Sequence, residues 1–567
     1  MFDARRQAAS MRAMHDITLT LQDGSTVQKP VDTPVGTLPG ADAGKDGLPY
    51  IAAMVSNDVA SLSYPLTTNA SVSFLTLADP HGWRVYRQSL SFLTAKALRE
   101  LFPKADFRVQ HSLGMGLFWS FRDNSHEGIT TAELAKLSAH MRDLVRRNLP
   151  IERQKVSYED AVKQFEAAGE KDKLQLLQYR NPPHIVLHVC DGFSDLAHGP
   201  VSSHTGVLDK FELVEYKRGF ILNMPDREPP HTMGPVGDQP HLFTIYQEHK
   251  DWGRILGVNT VGRLNEIIAT GEVENFMRTA EALHEQKMGR IAEQIVAHRD
   301  RIKVVLIAGP SSAGKTTFAK RIMTHLTVHG LRPMILGGDD YFVGPDRNPL
   351  DEDGKPDYEH IEAVDLALFN QNLADLVEGR EIDAPYFNFQ TKAREYRGRK
   401  LKLAPDQLLI VEGIHGLNPR MTEGVTADRK FKIYVSALTQ LNVDRHNRIS
   451  TTDNRLMRRM VRDHRYRAHS ALDTLRIWPS VRRGEKRWIF PFQQEADATF
   501  NSALDYELAV LKPKVEPLLM GIKPSHPEYA EARRLSDFLI NFLAAEDRPV
   551  PRTSILREYI GGSAFKY

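Results

Sequence analysis

Short apolar runs recur along the C-terminal half of the chain, each followed by a stretch with helical periodicity. Lys303 to Ala308 has the composition of a buried strand, and Phe318 to His329 has the apolar spacing of a helix. Further apolar strands are predicted at Met334 to Leu336 and at Leu408 to Val411. Strands alternating with helices are typical of a parallel sheet covered on both faces. The pattern therefore predicts a doubly wound α/β domain from Lys303 onward.

The N-terminal region has a different pattern, in which apolar and polar residues alternate. Ile17 to Leu21 and Ser71 to Leu75 both alternate, and Asp23-Gly24 directly after the first run is a hairpin signal. These features predict a small mixed domain built from short strands.

Between these regions, the segment from Asp79 to about Gln247 has a mixed α/β pattern, with a helix predicted at Ser91 to Phe102 and a strand at Ile185 to Val189. Apolar residues then recur at helical spacing before the first strand of the C-terminal half. They are Phe276, Ala280, Leu283, Ile291 and Ile295. This long amphipathic helix is expected to be a connector.

Length and composition narrow the class of protein. A chain of 567 residues exceeds what one core usually supports, so two to four domains are expected. The 74 Lys and Arg residues nearly balance the 72 Asp and Glu residues, which gives no overall charge to favour nucleic acid or membrane. Cys190 is the only cysteine, so no intramolecular disulfide and no multi-cysteine zinc site can form. Residues 1–7 lack an apolar signal region, and a cytoplasmic location is expected.

A glycine-rich segment follows the strand that ends at Ala308. Gly309 and Gly314 bracket four residues directly before Lys315 and Thr316, and the strand, loop and helix context is that of a phosphate-binding P-loop. Backbone N–H groups at a helix N-terminus bind phosphate, Lys315 is expected to reach the β and γ phosphates, and Thr316 is expected to bind Mg²⁺. The alternative is a chance glycine-rich turn. The predicted nucleotide-binding residues are Gly309, Ser311, Ser312, Ala313, Gly314, Lys315, Thr316 and Thr317.

Two further strands end in carboxylates. Asp339 and Asp340 follow the strand at Met334 to Leu336, where an aspartate could accept the proton of an attacking hydroxyl. The alternative there is a helix N-cap followed by aromatic core residues. Glu412 ends the strand at Leu408 to Val411 and could supply a second Mg²⁺ contact, the alternative being a solvated acid at the end of a buried strand.

A basic region extends from Arg445 to Arg487. It holds thirteen Arg and Lys residues against four acids. A helix would place four arginines on one face, since they fall at offsets 0, 3, 4 and 7. They are Arg455, Arg458, Arg459 and Arg462. A solvated helix, a nucleic-acid contact and a mobile lid over nucleotide phosphates are the three interpretations, and the neighbouring P-loop favours the lid.

These motifs together resemble the uridine kinase and phosphoribulokinase group of P-loop kinases, from about Lys303 to Leu543. The resemblance implies Asp339 as catalytic base, Thr316 and Glu412 as Mg²⁺ ligands and ATP as the phosphate donor. Lys315 is expected to act in catalysis, and the lid arginines would be Arg455, Arg458 and Arg459. The acceptor site is expected to include Asp339, Tyr341, Glu359, Phe387, Lys392 and Arg394. Phe387 and Lys392 stand where uridine kinases have a tyrosine and a histidine, which argues against pyrimidine specificity.

The N-terminal half resembles the start of threonyl-tRNA synthetases. Residues 15–77 are similar to the ubiquitin-like TGS domain and the following segment to the editing domain. The supporting motifs include residues 79–82, 86–89, 101–103 and 195–200. Gln88, Phe92 and Ala197 replace three of the four expected polar groups, and His198 is displaced, so neither hydrolytic editing nor metal binding is expected here.

The two resemblances divide the chain into four parts. They are a TGS-like β-grasp domain over 15–77, an editing-like α+β domain over 78–247, a helical connector over 248–302 and a kinase domain over 303–550. The expected function is ATP- and Mg²⁺-dependent phosphorylation of a small molecule, above all the 5′-hydroxyl of a nucleoside. A sugar phosphate or other hydroxyl metabolite as acceptor, and an RNA-linked regulatory ATPase, remain as alternatives, and oligomerisation stays open.

Overall fold

The computed structural model describes residues 16–41, 44, 46–114, 116–227, 232–388 and 391–566. The expectation about residues 1–7, the first residue of the TGS-like segment and residues 389–390 lie outside the described part. No helix in the described part combines the length and apolarity needed to cross a bilayer.

The N-terminal region forms a five-stranded sheet in the order β2-β1-β7-β4-β5, in which β1 and β7 are parallel. The turn after β1 contains Gly24 at φ +83°, a conformation that glycine adopts without strain. Leu19, Val35 and Val72 belong to the hydrophobic core of this N-terminal region. The strands are β1 Asp16–Leu21, β2 Thr26–Pro30, β3 Thr33–Pro34, β4 Ala52–Val55, β5 Asp58–Ser61, β6 Pro65–Leu66 and β7 Ala70–Leu75.

The second region has two antiparallel sheets, β10-β11-β12 and β13-β14-β9-β8. Helix α1 begins at Pro80, eleven residues before the predicted start, because the polar residues of its first turns obscure the apolar period. The elements are α1 Pro80–Leu101, β8 Asp106–Leu113, β9 Gly116–Arg122, α2 Thr131–Arg146, β10 Glu152–Val156, α3 Tyr158–Ala168, α4 Lys171–Leu177, β11 Ile185–Cys190, β12 Phe193–Leu196, β13 Glu212–Tyr216 and β14 Gly219–Asn223.

Three helices lead to the C-terminal region, namely α5 Pro240–Leu256, α6 Val261–Ala269 and α7 Val273–Val296. The sequence predicts a connector at α7, but its apolar face belongs to the core of the C-terminal region. Met288 and Ile291 are buried in the same cluster as Phe318 and Ile322 of the following helix.

The C-terminal region contains a parallel sheet in the order β16-β19-β15-β20-β21, which confirms the predicted doubly wound fold class. Its elements are β15 Val304–Ala308, α8 Lys315–Val328, β16 Arg332–Gly337, α9 Leu366–Val377, β17 Ile382–Asn388, β18 Ala393–Leu401, β19 Gln407–Glu412, β20 Lys430–Ser436, α10 Thr451–Tyr466, α11 Ala471–Trp488, β21 Ala498–Asn501, α12 Glu507–Met520, α13 Tyr529–Leu539 and α14 Arg557–Ile560.

The loop before α10 attaches the C-terminal region to β8. The backbone N–H of Val109 donates to the carbonyl of Arg445 at 2.9 Å, and the amide of Asn442 donates to the carbonyl of Val109 at 2.7 Å. This loop therefore reaches from the parallel sheet of the C-terminal region into the second region.

Candidate active site

Two glycines of the P-loop lie too close to neighbouring atoms to carry a side chain without a shift of the structure. A Cβ on Gly309 would lie 2.0 Å from the carbonyl oxygen of Val435 on the neighbouring strand. Gly314 has φ +84°, and its Cβ would lie 2.4 Å from Cγ2 of Ile555. Because side chains are excluded at both positions, the backbone can approach a phosphate closely. The loop thus fits the nucleotide that its sequence implies.

The strand ends bring the expected Mg²⁺ ligands together. Ile307 of β15 pairs with Glu412 of β19, so the carboxylate lies beside the start of α8. The hydroxyl of Thr316 donates to Oε1 of Glu412 at 3.0 Å, and Lys315 donates to the carbonyl of Pro310 at 3.3 Å. Hydroxyl and carboxylate oxygens are the ligands that Mg²⁺ prefers.

Asp339 and Asp340 lie in the 3-10 helix Gly338–Tyr341, and the structure separates their roles. Asp340 accepts from the backbone N–H of Phe387 at 3.5 Å and lies 3.6 Å from Arg399, so it anchors the β17–β18 hairpin. Burial raises the pKa of Asp339 above its usual range, although Lys315 and nearby arginines oppose this. Asp339 is therefore the aspartate whose environment includes the P-loop lysine.

Three carboxyl groups around Lys315 have raised pKa values. Burial, and then the charge of Asp339, raise the pKa of Glu412 to about 7. Burial, and then the charge of Glu485, raise the pKa of Glu359 to about 7. Buried carboxylates repel one another when they are ionised together, and a divalent cation bound between them offsets this repulsion. The site therefore fits the Mg²⁺ that the P-loop implies, with Thr316 and Glu412 as the residues that would hold it.

One buried carboxylate holds three arginines of the basic region. Oxygens of Asp463 lie 3.1 Å from Arg459, 2.9 Å from Arg462 and 3.7 Å from Arg467. Burial opposes ionisation, but the arginines outweigh it and lower the pKa of Asp463. Arg459 also donates to the hydroxyl of Ser311 in the P-loop at 2.7 Å. Three guanidinium groups on one carboxylate leave positive charge beside the loop, which suits phosphate binding.

The expectation that Arg455 and Arg458 grip phosphates does not agree with their geometry. Both are completely buried, Arg455 in an ion pair with Glu485 and Arg458 in one with Glu507 at 2.6 Å. Each also donates to a P-loop carbonyl, Arg455 to Ser311 at 2.9 Å and Arg458 to Ser312 at 3.4 Å. They brace the loop from within the core, because their charges are already matched by carboxylates.

Several predicted acceptor residues have structural partners. Tyr341 is fully buried and its hydroxyl accepts from the amide of Asn372 at 3.0 Å, so its expected contact with the acceptor is wrong. Phe387 is buried in an apolar cluster with Phe342. Its identity therefore does not indicate which base the acceptor carries.

The remaining two predicted acceptor residues lie on the β17–β18 hairpin. Arg394 donates to Asp365 at 2.9 Å, and Lys392 is exposed in the turn at φ +53°. An exposed lysine in a turn and an arginine already paired with a carboxylate are weaker candidates for acceptor recognition than a buried group without a partner.

Glu359 is a stronger candidate for acceptor recognition, because one of its carboxylate oxygens is buried and free to accept a hydrogen bond. Its Oε2 is buried and has no hydrogen-bond partner among the residues that the structure describes. The chain around it is pressed against α11, since a Cβ on Gly484 would lie 2.3 Å from Cβ of Glu359. A buried, unpaired carboxylate oxygen is costly and can be satisfied by the hydroxyls of a bound molecule.

The C-terminal segment supplies a residue that sequence reasoning missed. Oε2 of Glu558 accepts from the hydroxyl of Thr317 at 2.6 Å and from its backbone N–H at 3.3 Å. P-loop N–H groups at this end of the helix bind phosphate. This contact has no local signal in the sequence, because 241 residues separate the two side chains.

The editing-like region holds a cavity of only about 10 Å³, lined by Gln88, Phe92, His188, Asp195 and His446 among others. That volume accommodates at most one water molecule. His446 comes from the kinase region and fills the space, while Cys190 is buried with Phe92 in an apolar cluster. The cavity itself has no room for an aminoacyl group, but Gln88, His188 and His446 also line a larger neighbouring cleft.

The replaced positions of the editing motif lie around this cavity or next to it. His198 is engaged elsewhere, because its Nε2 lies 2.9 Å from Asp444. One group of potential metal ligands does occur in this half, formed by Asp123, His126 and Glu133. Glu133 accepts from Thr130 in the capping box of α2, which accounts for its position.

The P-loop, the paired carboxylates and the arginine helix define a phosphotransferase site. Residues 304–509 match the model of the Phosphoribulokinase / Uridine kinase family. The C-terminal region is thus similar to the kinases of this family over these residues, and the resemblance drawn from its motifs is confirmed.

The N-terminal region matches threonine–tRNA ligases. The ligase of Citrifermentans bemidjiense is 29% identical over 200 residues, which are 35% of this chain and 31% of that protein. The ligase of Desulforamulus reducens is 29% identical over 284 residues, covering 46% of this chain and 44% of that protein. The chain thus spans less than half the length of these relatives, and the N-terminal resemblance is confirmed.

Solved kinases show low structural similarity. A putative fructose transport system kinase from Silicibacter sp. TM1040 is 15% identical, covers 38% of this chain and 98% of that chain, and has a TM-score of 0.28. A possible uridine kinase from Bacillus stearothermophilus is 16% identical with the same coverage and a TM-score of 0.26. These values contribute nothing to the choice of acceptor.

Proposed function

We propose that the protein transfers the γ-phosphoryl group of ATP to a hydroxyl of a ribose-containing small molecule, above all the 5′-hydroxyl of a nucleoside. The observation that carries this proposal is the placement of Asp339 beside the P-loop lysine, at the carboxyl edge of the sheet next to Glu412. Ligands of doubly wound sheets collect at this edge.

The roles of the residues follow from their surroundings. Asp339 accepts the proton of the attacking hydroxyl, whose oxygen forms the new bond to phosphorus as the bond to the β-phosphate oxygen breaks. Lys315 and Arg459 stabilise the negative charge that spreads over the transferred group. Bound Mg²⁺, held by Thr316 and Glu412, would neutralise phosphate charge and orient the γ-phosphate.

Glu359 supports a polyhydroxylated acceptor. Its unpaired oxygen can accept one hydroxyl, and burial together with the charge of Glu485 raises its pKa despite the opposing charges of Arg459 and Lys315. A second hydroxyl of a ribose would donate to it while another hydroxyl is phosphorylated, whereas an alcohol with a single hydroxyl has none left to donate.

The test is a comparison of kcat/KM for ATP-dependent phosphorylation across uridine, cytidine, inosine, guanosine, adenosine and ribose phosphates, with Asp339→Asn as the inactive reference. A nucleoside should have the highest kcat/KM. Preference for a ribose phosphate would replace the nucleoside by the sugar-phosphate alternative. ATP hydrolysis stimulated only by RNA would contradict the proposal.

A further inference from the structure

Two arginines from different domains meet at one serine. Arg87 on α1 donates to the hydroxyl oxygen of Ser112 at 2.5 Å, and Arg448 in the loop before α10 donates to the same oxygen at 3.1 Å. Ser112 lies on β8, so the contact joins the editing-like region to the kinase domain. A hydroxyl that accepts two N–H groups has its own hydrogen left to donate.

The two arginines lack the compensation that their neighbours have. In the described part of the chain, neither Arg87 nor Arg448 forms an ion pair with a carboxylate, whereas Arg534 binds Asp453 through two bonds of 2.7 and 2.8 Å. Asp453 is the acid that most favours the charge of Arg448, yet both of its oxygens are engaged by Arg534. Arg87 lies 5.3 Å from the centre of the Trp83 ring, but among the described residues no carboxylate binds either guanidinium group.

The electrostatic cost of this arrangement is visible in the arginines themselves. Burial, and then the charge of Arg448, lower the pKa of Arg87 to about 9. Burial lowers the pKa of Arg448 to about 10. Both side chains stay charged at neutral pH, so the repulsion persists until an anion enters.

His111 adds a buried group without a partner. It is 4% exposed, and within the described part of the chain neither ring nitrogen has a hydrogen-bond partner. Burial, and then the charge of Arg448, lower the pKa of His111 to about 3, so the ring is neutral and offers one N–H donor. The β8 register is irregular between Val109 and Ser112, and both His111 and Ser112 line the same cleft.

This cleft lies between the N-terminal half and the kinase domain and has a volume of about 2400 Å³. We propose that Arg87, Arg448, Ser112 and His111 bind a phosphate group there, separately from the P-loop. The ligand class is a small-molecule phosphate monoester, because its two negative charges at neutral pH match the two unpaired guanidinium groups and its oxygens can accept from every donor named.

The test uses the full-length chain carrying Lys315→Ala, which weakens phosphate binding at the P-loop. Calorimetric titration with ribose 5-phosphate and with inorganic phosphate, at constant ionic strength, should show binding. Arg87→Gln and Arg448→Gln should each weaken it at least tenfold. The matched control is Arg153→Gln, which removes the same charge from an exposed arginine of the same cleft and should change binding less than twofold.

Absence of phosphate binding in the Lys315→Ala protein would overturn the proposal, as would an equal loss in Arg153→Gln. If either arginine variant fails to fold, Ser112→Ala is used in its place, because it removes no charge. This variant too should weaken binding.

An RNA oligonucleotide with a 5′-phosphate, compared with its 5′-hydroxyl form, identifies the source of the phosphate. If the protein prefers the phosphorylated form and Arg448→Gln abolishes this preference, an RNA end binds at the same residues. Equal binding of both forms would count against a monoester site.

Discussion

His446 Nδ1 lies 2.7 Å from the carboxylate of Asp195, so a side chain of the kinase domain is held inside the editing-like region. Lys173 Nζ lies 3.2 Å from the same carboxylate, and all three side chains are buried. Charges at this depth persist only when they are matched. Asp195 and Lys173 of the editing-like region thus form a buried socket for His446, which fixes the loop before α10.

Asp195→Asn should test this socket. The variant leaves Lys173 buried with less compensation, and we expect a loss of about 3 kcal/mol in the free energy of unfolding, as for other broken buried ion pairs. Urea denaturation at pH 7, followed by circular dichroism, measures the change.

The matched control is Asp191→Asn, in the turn of the same β11–β12 hairpin. Asp191 is 48% exposed and pairs with Arg147, which is 46% exposed, so its loss should cost less than about 1 kcal/mol. Equal stabilities of the two variants would show that the buried network does not hold the halves together.

The parts of the site that the sequence revealed are local. Gly309, Lys315 and Thr316 lie within eight residues of one another, and the strand that precedes them is a plain apolar run. Glu412 could be placed with them because the carboxyl ends of parallel strands meet at one edge.

The parts that escaped prediction depend on partners distant in sequence. The four arginines of α10 look equivalent on a helical wheel, yet Arg455 and Arg458 pair with Glu485 and Glu507, which lie 30 and 49 residues away. Only the tertiary fold shows which arginines are already neutralised. Asp463 was predictable in part, because Arg459 and Arg467 flank it at helical spacing.

Asp339→Asn should abolish most transfer. We expect kcat to fall by roughly 10² to 10⁴ while ATP still binds, since the change removes a general base and spares the P-loop. Steady-state kinetics and equilibrium ATP binding measure the two effects. Asp340→Asn is the comparison, because that carboxylate contacts Phe387 and Arg399 instead; a larger fall in kcat for Asp340→Asn would exchange the two roles.

The stability of the ligand-free protein should depend on Glu359 as pH rises. Its pKa is about 7 in the folded state against an ordinary 4.5, so between these values the folded state binds more protons than the unfolded state. This contribution to stability therefore falls as pH rises through 7, with a slope that approaches about 1.4 kcal/mol per pH unit. Glu359→Gln should make the measured slope less negative in urea denaturation between pH 5 and 8. The exposed Glu423→Gln should leave the slope unchanged.

Glu558→Gln should strengthen nucleotide binding. The glutamine keeps an oxygen that can accept from Thr317 but removes a negative charge from the end of the P-loop helix. We expect the KM for ATP to fall about 3- to 10-fold, or about 0.6 to 1.4 kcal/mol, with kcat little changed. Glu546→Gln, an exposed glutamate of the same C-terminal segment, is the control. An unchanged or higher KM in Glu558→Gln would mean that the carboxylate only caps the helix.

Acceptor recognition should depend on Glu359 and hardly at all on Lys392. Glu359→Gln replaces an anionic acceptor by a neutral amide inside a buried site, and a hydrogen bond to a charged group is worth about 1.5 to 3 kcal/mol. We therefore expect kcat/KM for the best acceptor to fall by roughly 10- to 150-fold, with the KM for ATP unchanged. Lys392→Ala should change kcat/KM less than twofold, because Lys392 lies exposed in the β17–β18 turn. If the lysine variant instead showed the larger loss, the hairpin tip would have to close over the acceptor, and Lys392 would take part in acceptor recognition.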